Sequence, residues 1–435
     1  MKKSYLFVTL YPDSLLGFSK DYHTLTHNIC GMRKVYFFSL LLVIGLILSQ
    51  IVPHLLGDNF EAFKSVTDSL LYISLAFIMI NVGREFEINK NQWRSYTVDY
   101  LVAMGAAAIP WILVALYYIF AVAPPELQIW KNIDVWKETF LLSRYAAPTS
   151  AGILFTMLAA AGLSYTWVYK KVQVLAIFDD LDTILLMIPL QILMIGMRWQ
   201  MFVILAVAVL LIWLGWKKMN SYGFRHDWKA ILFFSVLLFV VFHGIYLIST
   251  HFYGKDGGIH IEILLPAFIL GVIMKTDHSV KPDKTELRIA DAISYLFMVL
   301  VGLSMPLFLG IDFVEVAENS SSHISHLPML PWGTIALHVF IVTIISNLGK
   351  LFPLAFYRDR KLGERLAVSI GMFTRGEVGA GVLFIAIGYQ MSGVLLIISV
   401  LAMCLNLLFT GFFIGYAKKL AMKSAQVELA GEAEW

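Results

Sequence analysis

Long apolar runs separated by short polar breaks dominate the chain. A bilayer-spanning helix needs about 20 mostly apolar residues. On that rule the pattern predicts twelve spans, at about 35–56, 66–86, 97–122, 138–161, 172–196, 200–216, 229–250, 260–274, 291–310, 332–356, 367–389 and 393–416. The breaks carry loop chemistry, such as Pro124-Pro125, Gly257-Gly258 and Pro328. The expected fold class is therefore an all-α polytopic membrane protein. Residues 1–34 would form an N-terminal cytoplasmic segment, 35–416 the transmembrane domain and 417–435 a charged cytoplasmic tail.

The distribution of positive charge supports this count and orients it. With the N-terminus in the cytoplasm, the inner segments and adjoining span ends hold 25 of the 33 Lys and Arg, against 5 in the outer loops. Cytoplasmic loops are enriched in this way, so both termini are expected inside. Composition agrees: of 435 residues, 59% are hydrophobic and only 14% charged, too little charge to cover a soluble protein of this size. A net charge of +3 gives no nucleic-acid surface. Two distant cysteines, Cys30 and Cys404, make neither a disulfide framework nor a metal-ligand pattern. The N-terminus shows no signal peptide.

Charges deep in a span are costly and are usually functional. Here they are Arg144, Asp179, Asp180, Asp182, Lys350, Arg375 and Glu377. Asp99, Glu262 and Asp291 lie nearer span ends, where a charge can snorkel to the interface. At 1.5 Å per residue, Asp179 and Asp180 sit roughly 6–8 Å to the cytoplasmic side of the centre of the fifth span. Lys350 sits roughly 9 Å to the same side in the tenth. Two carboxylates thus share a depth with one ammonium. A static salt bridge could account for one of them; the surplus carboxylate needs a proton or a metal cation. Asp182, about 200° around the helix from Asp180, is expected to face elsewhere.

Two spans are interrupted at matching depth. The fourth contains Ala147-Pro148-Thr149-Ser150-Ala151-Gly152, and Pro148 removes a backbone hydrogen bond at mid-membrane. The eleventh contains Thr374-Arg375-Gly376-Glu377-Val378-Gly379-Ala380-Gly381, with three glycines in six residues. Spans 3–5 (97–196) and 10–12 (332–416) would then be two three-helix units of opposite topology, each with a discontinuous middle helix. Paired breaks of this kind mark a transporter's binding site.

Ile177-Phe178-Asp179-Asp180-Leu181 resembles the paired-aspartate helix of bacterial sodium/proton antiporters. Pro148-Thr149-Ser150-Ala151 is similar to their preceding broken helix, and Gly371-Met372-Phe373-Thr374-Arg375-Gly376-Glu377-Val378 resembles the arginine–glycine–glutamate helix of the second branch of the monovalent cation:proton antiporter family. Asn347-Leu348-Gly349-Lys350-Leu351 falls where members with paired aspartates carry a lysine. Gly83-Arg84-Glu85-Phe86, and Pro266-Ala267-Phe268 with Gly271, are similar to further family helices. Two positions depart from the pattern. Ala146-Ala147 stands where the family often has Thr-Asp, which removes one polar ligand, and Asp182 is an added acid.

The resemblance implies exchange of Na⁺, or of K⁺ or Li⁺, for protons by alternating access, with no cofactor. It implies Asp180 as cation ligand and main proton carrier. Asp179 would pair with Lys350 when no cation is bound. Thr149, Ser150 and carbonyls freed near Pro148 would supply further oxygens, with Arg375 and Glu377 in support, either as a bracing ion pair or with Glu377 competing for Lys350. It further implies an electrogenic homodimer in the bacterial inner membrane. A sodium-coupled organic-acid symporter of similar architecture is the alternative. A prenyltransferase-like intramembrane enzyme is more remote, because the acids of 179–182 are wrongly spaced and no second acidic cluster exists.

Overall fold

The structure is a computed structural model that describes residues 17–85, 93–123, 129–164, 166–195, 199–218, 227–253, 263–274, 284–305, 322–389 and 391–432. Among these the regular structure is helical. Helices α1 (Gly17–Leu56), α2 (Phe60–Glu85) and α3 (Trp93–Tyr117) come first, and a π-helical turn, Tyr118–Val122, extends α3. Next are α4 (Ile133–Ser143), α5 (Ala151–Ala160), α6 (Trp167–Ile195), α7 (Trp199–Lys218) and α8 (Trp228–Tyr253). Then follow α9 (Leu264–Ile273), α10 (Lys284–Leu303), α11 (Trp332–Gly349), α12 (Leu362–Gly371), α13 (Glu377–Gly388) and α14 (Gly393–Glu432). Among the described residues, six segments are long and apolar enough to cross a bilayer. The protein is a multi-pass membrane protein.

The ninth span differs from its expected position. The helix starts at Lys284, before the expected 291, and ends at Leu303; the expected end at 306–310 lies outside the described residues. Lys34 on α1 meets this helix, its Nζ lying 2.8 Å from Asp291. At the other end Pro306 follows directly on Met305, and the residue before a proline is pushed out of the helical region. The eighth span appears as the ten residues of α9, and its expected start at 260–262, with Glu262, lies outside the described residues. The expected tail continues α14 as helix to Glu432.

Two helix pairs, α1 with α10 and α2 with α9, form a scaffold. Each crosses at facing glycines. A Cβ on Gly45 would fall 2.9 Å from Gly302 Cα and still closer to the Val299 carbonyl. One on Gly271 would fall 2.9 Å from Gly83 Cα and still closer to the Ile80 carbonyl. Small residues let membrane helices approach to backbone contact, where packing and weak polar contacts replace the absent hydrophobic drive. Beside the scaffold, α3 packs on α6 and α11, and α14 packs on α11 and α12. This second bundle contains the two three-helix units of opposite topology.

In each unit the middle span breaks for a local reason. The helix of α4 ends in a tight turn at Arg144–Ala146, and 147–150 is non-helical. Pro148 has no N–H to continue the ladder. Ser150 then caps α5, its Oγ accepting from the Ile153 amide at 3.4 Å. In the second unit, 372–376 separate α12 from α13. The two irregular segments touch: the Ser150 amide donates to the Thr374 carbonyl at 3.1 Å. Glycine is required at 376 by this approach, because a Cβ there would lie 2.7 Å from Ile153 Cδ1 and 2.8 Å from Ser150 Oγ.

Candidate ion-binding site

The contact between the two breaks satisfies backbone groups that no water reaches, and it places side chains where the helices part. The Thr149 hydroxyl donates to the Met372 carbonyl at 3.2 Å, and the Thr149 amide donates to Asp179 Oδ2 at 2.8 Å. Lys350 Nζ lies 2.8 Å from the same carboxylate oxygen and 3.0 Å from Thr149 Oγ1. Both ionic side chains are 0% exposed. Lys350 caps the C-terminus of α11, where the helix dipole favours a cation. Its helix reaches this depth because Gly349 packs directly on Pro110 of α3.

Asp180, also buried, lies one residue further along α6, about 100° around the helix axis from Asp179. Thr149 and Ser150 are buried beside the break, where Ser150 is engaged as a helix cap. Pro148 lies in the non-helical stretch that frees the Thr149 amide. Arg375 is fully buried and donates from Nη1 to the Met372 carbonyl at 3.1 Å; its Nε and Nη2 make no hydrogen bond among the described residues. Glu377 begins α13, and its side chain lies outside the described residues, so its expected interplay with Arg375 or Lys350 does too.

Asp182 lies three residues beyond Asp179, on a neighbouring stripe of the helix. It is 2% exposed, and the Tyr100 hydroxyl on α3 faces its carboxyl as a hydrogen-bond partner. Arg144 donates from Nη2 to the Asp182 backbone carbonyl at 3.1 Å, and its guanidinium stands 4.7 Å from the centre of the Trp111 ring.

One expectation fails. Asp99 does not snorkel to the interface. It is 1% exposed, and both its oxygens take Lys171 Nζ, at 2.9 and 2.8 Å, while the Tyr357 hydroxyl donates at 2.7 Å. Its partners come from α6 and from the segment after α11, so they close over the carboxylate from two sides. Asp291, by contrast, is partly exposed. Other polar contacts passed unnoticed in the sequence. Asn347 Nδ2 donates to Asn406 Oδ1 at 2.8 Å, tying α11 to α14 one turn from Lys350. Glu138 accepts from the Ser322 hydroxyl and from the His323 and Ile324 amides at 2.9–3.1 Å. An amide in an apolar run was the available signal for Asn406; Glu138 looked like an ordinary span end.

No three His, Cys, Asp or Glu side chains among the described residues cluster as a resident metal site would. What the site can do is exchange charge. Among the described side chains near the breaks, three acids (Asp179, Asp180, Asp182) face three cations (Arg144, Lys350, Arg375). A guanidinium does not lose its proton in a protein, whereas a buried lysine can.

No family model matches the sequence, and no curated protein matches it. Among solved structures the chain is similar to the sodium proton antiporter MjNhaP1 from Methanocaldococcus jannaschii at pH 8. The match covers 94% of this chain and 99% of that one, with a TM-score of 0.52 and 14% sequence identity. At that identity the likeness is one of fold, and the fold is that of a sodium/proton antiporter.

Proposed function

We propose that this membrane protein, built on the sodium/proton antiporter fold, exchanges a monovalent cation for protons by alternating access. The observation that carries this is the wholly buried Lys350–Asp179 pair beside Asp180, at the contact between two broken helices. A buried ion pair contributes little net stability, so two deep acids and a lysine at this place are better explained by ion exchange than by bracing. Asp180 is the cation ligand and main proton carrier. Lys350 holds Asp179 when no cation is present and gives up both that contact and a proton when one enters. Oxygens of Thr149, Ser150 and the segment at Pro148 complete the cation's shell, with Arg375 and Glu377 in support.

The glycine-packed pairs of α1 with α10 and α2 with α9 form the static frame, and the bundle of α3–α6 and α11–α14 moves against it. Na⁺ is the first candidate substrate, with Li⁺ and K⁺ as alternatives. We place the protein in a cell membrane, as a homodimer with both termini in the cytoplasm.

Reconstitution tests this. In liposomes with a preformed pH gradient and a quenched dye, Na⁺, Li⁺ or K⁺ alone should dissipate the gradient. A requirement for an organic co-substrate would show symport, and no response to any cation would remove the exchange reading.

A further inference from the structure

Arg144 is a buried cation that this exchange scheme leaves without a task. It stands in the tight turn that ends α4, at the break of the fourth span, and is 0% exposed. Its guanidinium lies over Trp111, whose Nε1 donates to the Phe140 carbonyl at 2.7 Å, so the plane it rests on is itself held. Nη2 donates to the Asp182 backbone carbonyl, while Nε and Nη1 make no hydrogen bond among the described residues. The charge faces Asp179 and Asp182.

A bracing arginine would be expected to grip a carboxylate with its bidentate fork. Here the fork is spent on a ring face and a single carbonyl, and the charge is set beside the acidic stretch of α6 without neutralising any one acid. Unlike Lys350, it cannot be discharged by losing a proton. It therefore repels an arriving cation in every state of the cycle.

Resting on the exchange reading, we propose that Arg144 sets the affinity of the site: a fixed positive charge that weakens cation binding at Asp180 and so speeds the ion's release. Held at the Asp182 carbonyl, the guanidinium lies on the order of 10–12 Å from the Asp180 carboxyl by helix geometry. At an effective dielectric of about 20, a unit charge at that distance changes the affinity for a monovalent cation by about tenfold or more. Affinity differences of this kind fall mainly on the dissociation rate, so the charge exchanges tight binding for turnover.

The test uses the full chain, purified and reconstituted, with Na⁺, Li⁺ and K⁺ as separate probes at alkaline pH, where protons compete least. Arg144→Gln is expected to lower KM by about tenfold and to lower the maximal rate with it. Arg144→Lys keeps the charge but loses the flat contact with Trp111; it should melt earlier yet hold KM near the wild-type value. A purely bracing arginine would instead lower the melting temperature in both variants and leave KM unchanged or raised in Arg144→Gln. That result, or a tightened KM in Arg144→Lys, overturns the inference. Should Arg144→Gln not fold, Arg144→Met, which keeps an unbranched apolar stem against Trp111, gives the same reading. If neither neutral variant can be purified, the residue is structural and the inference falls. A wild-type protein that moves no protons in response to any of the three cations defeats the exchange reading itself. Wild-type exchange with an unaltered KM in Arg144→Gln defeats this inference alone.

Discussion

Replacing Lys350 by alanine, alone and together with Asp179→Asn, separates a working ion pair from two unrelated buried charges. At 2.8 Å and an effective dielectric of about 20, the attraction between Lys350 and Asp179 is about 6 kcal/mol. Desolvation of two wholly buried ions costs several kcal/mol each, so the intact pair contributes close to nothing net. Breaking it is another matter. Lys350→Ala removes the attraction and deprives the Asp179 carboxylate of the ammonium in contact with it, while the Thr149 amide still donates to it and the Arg144 and Arg375 charges stay nearby, at an expected cost of about 3–5 kcal/mol. Asp179→Asn in that background removes the charge that lost its contacting ammonium and still offers the Thr149 amide an acceptor oxygen. It should restore roughly 2–3 kcal/mol, a coupling energy typical of residues in direct contact. The assay is thermal unfolding of the wild type, both single variants and the double variant in one detergent. The double variant is expected to melt above Lys350→Ala. Strictly additive losses would mean that the two side chains do not share an interaction, and the charge-exchange scheme would lose its partner for Asp179.

Asp180→Asn keeps the shape of the residue and removes its titrating charge; it should insert and fold but show no cation-dependent proton flux, and exchange at the wild-type rate would remove Asp180 from the mechanism. Exchange of two protons for one cation moves one net charge per cycle, worth roughly 2.3 kcal/mol per 100 mV, so clamping the membrane potential with potassium and valinomycin should change the rate of Na⁺ or Li⁺ transport; indifference to the clamp would mean one-for-one exchange. Gly45→Leu should push α1 from α10 and lower the melting temperature, because even a Cβ at that position lies inside the contact distance of the Val299 carbonyl; Gly381→Ala, with nothing within 4 Å of the added carbon, should be near neutral, and similar melting of the two would contradict the packing. Asp99→Asn leaves Lys171 without its counter-charge and should destabilise by about 3 kcal/mol or more, read in the same melts; no loss would mean that the pair opens to water.

The sequence by itself determined the helical class, the order of the spans, their interruption at Pro148 and beside Gly376 (Gly379 and Gly381 lie inside α13), and the depth shared by Asp179, Asp180 and Lys350. These are local signals. An apolar run long enough to cross a bilayer, a missing N–H, or a charge in hydrocarbon each stands out within about 20 residues, and 1.5 Å of rise per residue converts position into depth. The departures arose where the deciding partner is distant in the chain. Asp99 read as an interfacial charge because nothing near it in sequence suggested Lys171, 72 positions away, or Tyr357, 258 away. Asp291 meets Lys34, 257 residues back, a pairing that nothing near Asp291 in the chain announces. Equal depth for Lys350 and Asp179 said nothing of which helix faces to turn together; the packing of α11 on α3 and the Thr149 amide settle that both meet at one carboxylate oxygen. Gly376 is needed because the Ile153 and Ser150 side chains of the other broken span press on it, and Asp182 lies beside Tyr100 and Arg144 because three separate elements converge there. Which elements converge is a property of side-chain volumes filling a shared space, and that is decided only when the helices are packed together.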